Sequence, residues 1–179
     1  MMTSNDNPLP ELNTPHLRLR PFVREDAQPL YRILNQDNIL QYFPNPGKPS
    51  FERVERLVQR QVEHWQAHRY GWWAVIPHGQ VDLVGWNGLQ YLPETSEIEI
   101  GYLLGKPYWG KGYATEGARA VLEYAFSTMD LDEIIGLVHP ENVASQRVLE
   151  KSGLAFTRRA VYFDMELLRY TIKNPKEYS

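Results

Sequence analysis

The sequence predicts an α+β fold in which a mixed β-sheet is covered by helices. The first observation is the order of its hydrophobic patterns: strand, two helices, three strands, helix, strand, helix and hairpin. The second is the length of 179 residues, which suits one domain with its own hydrophobic core. The third is the absence of repeats and of an internal linker. We therefore expect a loose polar lead-in over residues 1–15 and a single domain over residues 16–179.

Composition excludes several classes of function. The chain has no cysteine, which rules out disulfides, thiolate metal sites and cysteine nucleophiles. A net charge of −3 without a long basic run argues against a general nucleic-acid binder. The sequence contains no apolar run as long as a membrane span and no signal-peptide pattern at its start. These features predict a cytoplasmic protein that binds neither nucleic acid nor membrane.

The N-terminal part of the chain predicts one strand and two helices. Residues 16–20 alternate in polarity, which is the pattern of a half-buried strand. Apolar residues recur at helical spacing over residues 27–34, and residues 44–49 then form a loop because prolines disfavour a helix. Ser50 is a suitable N-cap for a second helix, which Gly71 would end. The buried stripe of this second helix would comprise Phe51, Val54, Leu57, Val58, Val62 and Trp65.

The middle of the chain predicts three consecutive strands and a helix. Residues 72–76 and 81–91 are the first two strands, joined by a turn at residues 78–79. Glu97–Leu104 is the third strand, because polar and apolar residues alternate at its start. In the following segment apolar residues recur at helical steps and form one stripe. That stripe comprises Ala114, Ala118, Val121, Leu122, Ala125, Phe126 and Met129.

The C-terminal part predicts a strand, a helix and a closing hairpin. Glu133–Val138 is the strand, and the helix covers residues 143–152. Gly153 is suited to the position just past the helix end, where a left-handed backbone conformation is common. The hairpin begins at Phe156 and contains Val161, Phe163, Met165, Leu167 and Tyr170.

The segment between the strand at residues 97–104 and the next helix has the features of an anion site. Gly110 and Gly112 lack a Cβ, so the backbone can turn tightly and a ligand can approach it closely. The helix that follows presents unpaired N–H groups and the positive end of its dipole. The order of strand, glycine loop and helix is therefore typical of a phosphate site, and a plain glycine turn between strand and helix is the alternative.

Two common phosphate-loop patterns match this loop incompletely. The dinucleotide pattern G-x-G-x-x-G needs glycine or alanine at its last position, where Thr115 stands. It should also open the fold, whereas this loop lies past the middle of the chain. The nucleoside-triphosphate pattern G-x-x-x-x-G-K matches residues 105–111, but Gly112 replaces the Ser or Thr that binds magnesium. A phosphotransferase is an alternative that would require magnesium-dependent ATP binding.

Several short segments, in matching order and spacing, resemble the GNAT superfamily of N-acetyltransferases over nearly the whole chain. Within it, the chain is similar to the group that contains the ribosomal-protein N-terminal (alanine) acetyltransferases. The resemblance implies a mostly antiparallel sheet of about six to seven strands flanked by helices. Pro107 departs from the pattern, since the superfamily often has Gln or Arg there. The matching segments are residues 17–21 (LRLRP), 99–102 (EIGY), 108–116 (YWGKGYATE), 142–145 (NVAS) and 150–153 (EKSG).

The resemblance implies acetyl-CoA as co-substrate and no metal. The glycine loop would bind the pyrophosphate, and a backbone irregularity near residues 101–102 would splay the strand and free N–H groups for the pantetheine or the thioester carbonyl. Asn142 would bond the pantetheine arm, although it also suits a helix N-cap. The expected cofactor-binding residues are Tyr102, Leu103, Leu104, Trp109, Gly110, Lys111, Gly112, Tyr113, Ala114, Thr115, Asn142 and Ser145.

Glu99 is the first candidate for the general base. Its period-2 spacing places it on the strand face of Gly101 and Leu103, where the acceptor amine must arrive. A solvated strand face is the alternative role for Glu99. A dedicated base is also not required for every acceptor, because an α-amine with a pKa of about 8 could lose its proton through water, whereas a lysine amine near 10 needs more help.

Ser145 is the candidate that acts on the leaving thiolate. Many GNAT members use a tyrosine seven residues beyond the asparagine, and Leu149 stands there in this chain. In the resembling group a serine one turn beyond the asparagine is a candidate proton donor, and its hydroxyl is suited to hydrogen-bond the sulphur. His139, at the end of the preceding strand, is the second candidate for this role.

The acceptor is expected to be a small-molecule or peptide amine. We predict an aromatic wall of Tyr42, Phe43 and Trp86, because the first two precede a proline-rich loop and Trp86 lies between Gly85 and Gly88. A core position is the alternative for all three aromatic residues. A catalytically idle acyl-CoA binder is the alternative function, and the chain is expected to be a monomer or a homodimer.

Overall fold

The computed structural model describes residues 8–178 and places every predicted element in an α+β architecture. Short 3₁₀ turns precede the first helix and follow the fifth strand. The strands are β1 (Leu12–Asn13), β2 (Leu17–Pro21), β3 (Trp72–Pro77), β4 (Gly85–Leu92), β5 (Glu97–Leu104), β6 (Glu133–Val138), β7 (Ala155–Tyr162) and β8 (Met165–Lys173). The helices are α1 (Ala27–Leu34), α2 (Phe51–His68), α3 (Tyr113–Ser127) and α4 (Val143–Lys151).

One sheet contains all eight of these strands, in the order β1-β2-β3-β4-β5-β6-β8-β7. Neighbouring strands are antiparallel except for β5 and β6. The sheet is therefore mostly antiparallel, as predicted, with one strand more than the upper limit of the predicted range. The additional strand is β1, which lies within the predicted lead-in and pairs with β2. The indole of Trp73 also donates to the carbonyl of Pro10 at 3.0 Å, and residues 1–7 of the lead-in lie outside the described residues.

The start of α2 agrees with the prediction, and its end does not. The Ser50 side chain accepts a hydrogen bond from the N–H of Arg53, which confirms it as the N-cap of α2. The helix ends at His68 with Arg69 in the left-handed conformation (φ 60°), so Gly71 does not end it as predicted. Gly71 instead lies close to α2, since a Cβ there would be 3.2 Å from the side chains of Gln61 and Trp65, which is a tight contact.

Strand β4 begins later than predicted. Residues 81–84 were expected to belong to it, but the chain first makes a turn in which the N–H of Gln80 donates to the carbonyl of Pro77. Val81 is consequently 88% exposed. Regular pairing starts at Gly85, which lies opposite both Val75 and Leu104.

The helices cover the sheet from both sides. Helices α3 and α4 pack on one face, where Ile100 and Leu104 of β5 belong to the main hydrophobic cluster. Helices α1 and α2 pack on the other face, together with Trp86 of β4 and Leu103 of β5. Adjacent residues of β5 thus point to opposite layers, as the alternation along a strand requires.

The sheet opens between β5 and β6, and this opening positions the candidate site. Within residues 8–178, the pairing of these two parallel strands is confined to Glu99 and Ile135. Beyond that pair, β5 continues to Leu104 in unbroken register with β4. The prediction of a backbone irregularity near residues 101–102 is therefore wrong, since β5 shows no register shift against β4 there. The two strands separate because β5 stays paired with β4, while β6 stays paired with β8.

Candidate active site

The glycine loop has the backbone conformation that a phosphate cradle needs. Gly110 and Gly112 have φ angles of 72° and 79°, in the region that favours glycine. No heavy atom lies within 4 Å of a Cβ built at either position. Both glycines therefore border open space. Gly112 is also the N-cap of α3 and supplies no side-chain cap, so the first N–H groups of this helix are available to an anion.

Aromatic and basic side chains frame this loop. The indole N–H of Trp109 donates to the carbonyl of Leu104 at 2.7 Å, although the residue is 52% exposed. The Nζ atom of Lys106 lies 5.9 Å from the centroid of the Trp109 ring. Lys111 is placed similarly over Tyr108, at 5.4 Å. These contacts fix the loop against the end of β5 and put two positive charges beside it.

The first turn of α3 is tied to the N-terminal segment by Glu116. Its carboxylate accepts from the hydroxyl of Thr14 at 2.6 Å and from the N–H of His16 at 2.8 Å. The second oxygen lies 2.9 Å from Nδ1 of His16. These hydrogen bonds hold the pKa of Glu116 below its usual value although burial opposes this. No local sequence pattern predicts this anchor, because about 100 residues separate its partners.

Asn142 and Ser145 meet at the start of α4. The Asn142 Oδ1 atom accepts from the N–H of Ser145 at 3.1 Å, so the N-cap role is confirmed. The phenol of Tyr102, on β5, donates to the carbonyl of Ser145 at 2.9 Å and lies 2.9 Å from its Oγ. Burial raises the pKa of Tyr102 well above its usual value, which keeps the phenol neutral. The Tyr102–Ser145 hydrogen bonds therefore connect β5 to the first turn of α4.

Glu99 is buried at the position where β5 pairs with Ile135 of β6. It is 8% exposed, and its Oε2 accepts from the side-chain amide of Gln90 at 2.8 Å. Burial raises the pKa of Glu99 to about 7, the charge of Glu97 adds to that rise, and hydrogen bonds from Gln90 and the backbone of Leu137 oppose it. The carboxyl is thus poised to exchange a proton near neutral pH.

The three predicted wall aromatics have different surroundings. Tyr42 is half-buried and stacks on His139 with ring centroids 5.1 Å apart, beside the loop that leads to Asn142. Phe43 is half-buried against the cluster beneath α1 and α2. Trp86 is 6% exposed and stacks on Trp72 at 3.9 Å. The structure therefore places Tyr42 at the opening and Trp86 in the core under β5.

The glycines beside Trp86 serve the sheet itself. A Cβ at Gly88 would collide with the carbonyl of Gly71, and one at Gly85 would collide with the carbonyl of Leu103. The close approach at these positions is thus made by neighbouring backbone. A Cβ at Gly101 would lie 3.3 Å from the Trp86 ring, which places the indole directly beneath the strand that carries Glu99.

Metal-binding side chains do not cluster in the part of the chain that the structure describes. No group of three or more His, Asp or Glu side chains there could hold an ion. His64 and His68 lie with ring centroids 4.5 Å apart on α2, and burial lowers the pKa of His64. Among the helices of residues 8–178, none combines the length and apolar character that crossing a membrane requires.

Comparison with known proteins agrees with the fold. Residues 16–155 match the model of the acetyltransferase (GNAT) domain. The chain belongs to the GNAT acetyltransferase family. It is 32% identical over 152 residues to the uncharacterized N-acetyltransferase YnaD of Bacillus subtilis (strain 168), covering 85% of each chain.

Solved GNAT structures share the architecture. The chain is similar to a GNAT-family acetyltransferase from Bacillus anthracis, with a TM-score of 0.80, 26% identity and coverage of 92% and 99% of the two chains. It also has the fold of RimL, a ribosomal L7/L12 alpha-N-protein acetyltransferase solved in complex with coenzyme A. In that case the TM-score is 0.79, the identity 16% and the coverage 92% and 98%.

Membership of the family makes the protein an acyltransferase and implies acetyl-CoA as its acyl donor. The loop fits this co-substrate on its own features, since two glycines with positive φ border open space before an uncapped helix. The sequence analysis did not predict that Tyr102 contacts Ser145 or that Glu99 contacts Gln90. Each of these residues lies on a predicted element, but only the fold brings the pairs together.

Proposed function

We propose that the protein is an N-acetyltransferase that moves the acetyl group of acetyl-CoA directly to a primary amine. The observation that carries the proposal is the position of Glu99, a buried carboxyl at the base of the opening between β5 and β6. Its raised pKa of about 7 suits a group that accepts a proton from an amine near neutral pH.

The co-substrate would bind along the opening. Its pyrophosphate would lie on the backbone N–H groups from Gly110 to Thr115, with Lys111 and Trp109 beside it. The unpaired edge of β5 beyond Glu99 would offer those N–H groups among residues 102–104 that do not point toward β4 to the pantetheine amides or the thioester carbonyl. Asn142 would face the arm from α4, since its amide nitrogen is not used in the N-cap bond.

Transfer would need three proton and bond movements. Glu99, or a water that it polarises, takes a proton from the ammonium so that the neutral amine attacks the thioester carbonyl carbon. The new C–N bond forms a tetrahedral oxyanion, which β5 N–H groups stabilise. The oxyanion then collapses and the C–S bond breaks. The extra proton on the attacking nitrogen leaves and is passed to the departing thiolate, which the hydroxyl of Ser145, held by Tyr102, hydrogen-bonds.

The acceptor is proposed to be a small-molecule or peptide amine that enters beside Tyr42. The stacked rings of Tyr42 and His139 lie at the β6–α4 junction, next to Asn142. Phe43, which is half-buried, would contribute to the same wall, whereas Trp86 is assigned to the hydrophobic core. Residues 16–179 would act as one domain, as a monomer or homodimer in the cytoplasm.

Turnover against a panel of amines tests the function. The panel would contain peptides with a free N-terminus, free amino acids, polyamines and aminoglycosides, with coenzyme A binding measured beside it. Release of coenzyme A that depends on one acceptor class is expected, with a mass gain of one acetyl group on that acceptor. Tight coenzyme A binding without turnover on any amine would instead favour the idle acyl-CoA binder.

A further inference from the structure

A buried arginine sits among carboxylates on the sheet face of Glu99. Arg169, on β8, is 9% exposed and donates from Nη2 to Glu97 at 2.7 Å and to Glu133 at 3.0 Å. Its Nε atom also donates to Glu97, at 3.1 Å. Nη1 donates to the hydroxyls of Thr171 and Thr157 at 2.6 and 3.2 Å. Every nitrogen of the guanidinium is therefore engaged.

The register of the sheet brings three carboxyl groups together around this site. Glu97 and Glu99 are two residues apart on β5, so both point to the same face. Glu99 pairs with Ile135 of β6, which places Glu133 opposite Glu97 in the parallel register. The hydroxyl of Tyr162 donates to the other oxygen of Glu97 at 2.7 Å. Burial would raise the pKa of Glu97, but hydrogen bonds from Thr95, Arg169 and Tyr162, together with the charge of Arg169, hold it below its usual value.

The groups that interact directly with Glu99 come from three strands, β4, β5 and β6. Gln90 of β4 donates to its carboxyl, the backbone of Leu137 on β6 hydrogen-bonds it, and Tyr102 and Glu97 of β5 interact with it electrostatically. Beyond these, Glu133 on β6, Tyr162 on β7 and Arg169 on β8 form the network around Glu97. Of the groups named, Arg169 is the one that carries a positive charge.

We propose that Arg169 is a positioning residue for acetyl transfer: by pairing with Glu97 and Glu133 and offsetting part of their negative charge, it lets Glu99 ionise in the working pH range. Without the guanidinium, the buried Glu99 would have to ionise beside two partly exposed carboxylates with no positive charge to offset them, and it would stay protonated at neutral pH. With the guanidinium present, one positive charge offsets two negative charges and a single negative neighbour remains. The ion-pair network thus sets the protonation of the base without touching the substrate.

The inference rests on the proposed role of Glu99 as general base, and the test separates the two. The pKa of Glu99 would be measured by carbon-13 NMR titration of the side-chain carboxyls in the free protein, with Glu99→Gln used to assign its resonance. Glu97→Gln should lower that pKa by about half a unit or more, and Arg169→Met should raise it by about one unit. Arg159→Met is the matched control, because Arg159 makes an exposed ion pair of 2.7 Å with Glu166 on the same hairpin.

The outcomes distinguish the possible failures. If Glu97→Gln leaves the pKa of Glu99 within about 0.2 units of the wild-type value, the network does not control it and the inference is wrong. The Glu97→Gln variant keeps hydrogen-bonding groups for Arg169 and Tyr162. It therefore still tests whether the network controls the pKa of Glu99 when Arg169→Met does not fold. If the pKa shifts as expected while the acid limb of the pH–rate profile stays in place, the network acts on Glu99 but Glu99 is not the base.

Discussion

At the scale of single residues, the site consists of polar groups that the fold takes out of water. Glu99 is adjusted by burial, by Gln90 and by the charge of Glu97. Tyr102 is buried more simply, so it stays a neutral hydrogen-bond donor to Ser145. These two environments assign different tasks to two residues of one strand. One can exchange a proton near pH 7, while the other orients a hydroxyl.

Ser145→Ala should lower kcat by about tenfold or more while leaving the affinity for acetyl-CoA nearly unchanged, because the hydroxyl acts on charge that develops on sulphur. Tyr102→Phe removes the phenol that orients Ser145 and should lower kcat in the same direction. The double variant should lose less than the product of the two effects, since both act through one hydroxyl. Strictly multiplicative losses in steady-state kinetics would mean that the two residues work independently.

Tyr42→Ala should raise KM for the acceptor amine with KM for acetyl-CoA unchanged, because Tyr42 is half-buried and stacks on His139 at the opening. Trp86→Ala provides the comparison. Its ring is buried and stacked on Trp72, so its truncation should cost about 3 to 5 kcal/mol of stability, measured by denaturant unfolding. An amine KM that stays at the wild-type value in Tyr42→Ala would remove this residue from the acceptor wall.

At the scale of elements, local patterns were predictable and long-range partnerships were not. The N-caps Ser50 and Asn142 were identified because a cap depends on residues within one helical turn. The end of α2 was misplaced because Gly71 resembles a helix stop, whereas the left-handed residue that ends the helix is Arg69, a residue type that does not favour this conformation. The partners of Glu116 could not be predicted, since about 100 residues separate them and no periodicity connects them.

Gly112→Val should abolish binding of coenzyme A, because a branched side chain would enter the space before the uncapped end of α3. Gly79→Val is a matched control: Gly79 has a φ of 84° and likewise has no atom within 4 Å of a built Cβ. Both variants should lose similar stability from backbone strain, about 1 to 2 kcal/mol. Only Gly112→Val should lose the increase in Tm that coenzyme A gives. Normal binding by Gly112→Val would place the cradle elsewhere.

At the scale of the whole molecule, the sequence predicted the order and class of the elements but not how the sheet opens. The predicted route was a backbone irregularity near residues 101–102. The actual route is the divergence of β5 and β6 after Glu99 and Ile135, which depends on the strands that each one follows. Strand pairing between distant segments leaves no local signature. The glycine loop was predictable because its strand, turn and helix are contiguous in the chain.

Burial of Glu99 should also make the stability of the whole molecule depend on pH. Its folded-state pKa of about 7 lies above the ordinary value of 4.5, so the folded protein binds the extra proton between these values. The contribution to stability is then fully present below about pH 4.5 and is lost as pH rises through about 7, by up to about 3 kcal/mol. Relative to Glu99→Gln, the wild-type protein should lose unfolding free energy over this range. A pH-independent difference in urea unfolding would mean that Glu99 is not buried as described.

The most direct test of the central claim is the pH dependence of acetyl transfer to the preferred amine of the panel. For the wild-type protein, kcat/KM should rise with pH through a midpoint near 7, where Glu99 ionises, and then level off until the amine itself titrates. Glu99→Gln should bind coenzyme A normally, lose this limb and be about 10² to 10⁴ times slower. A Glu99→Gln protein that keeps both the limb and the wild-type rate would contradict the assignment of Glu99 as the base.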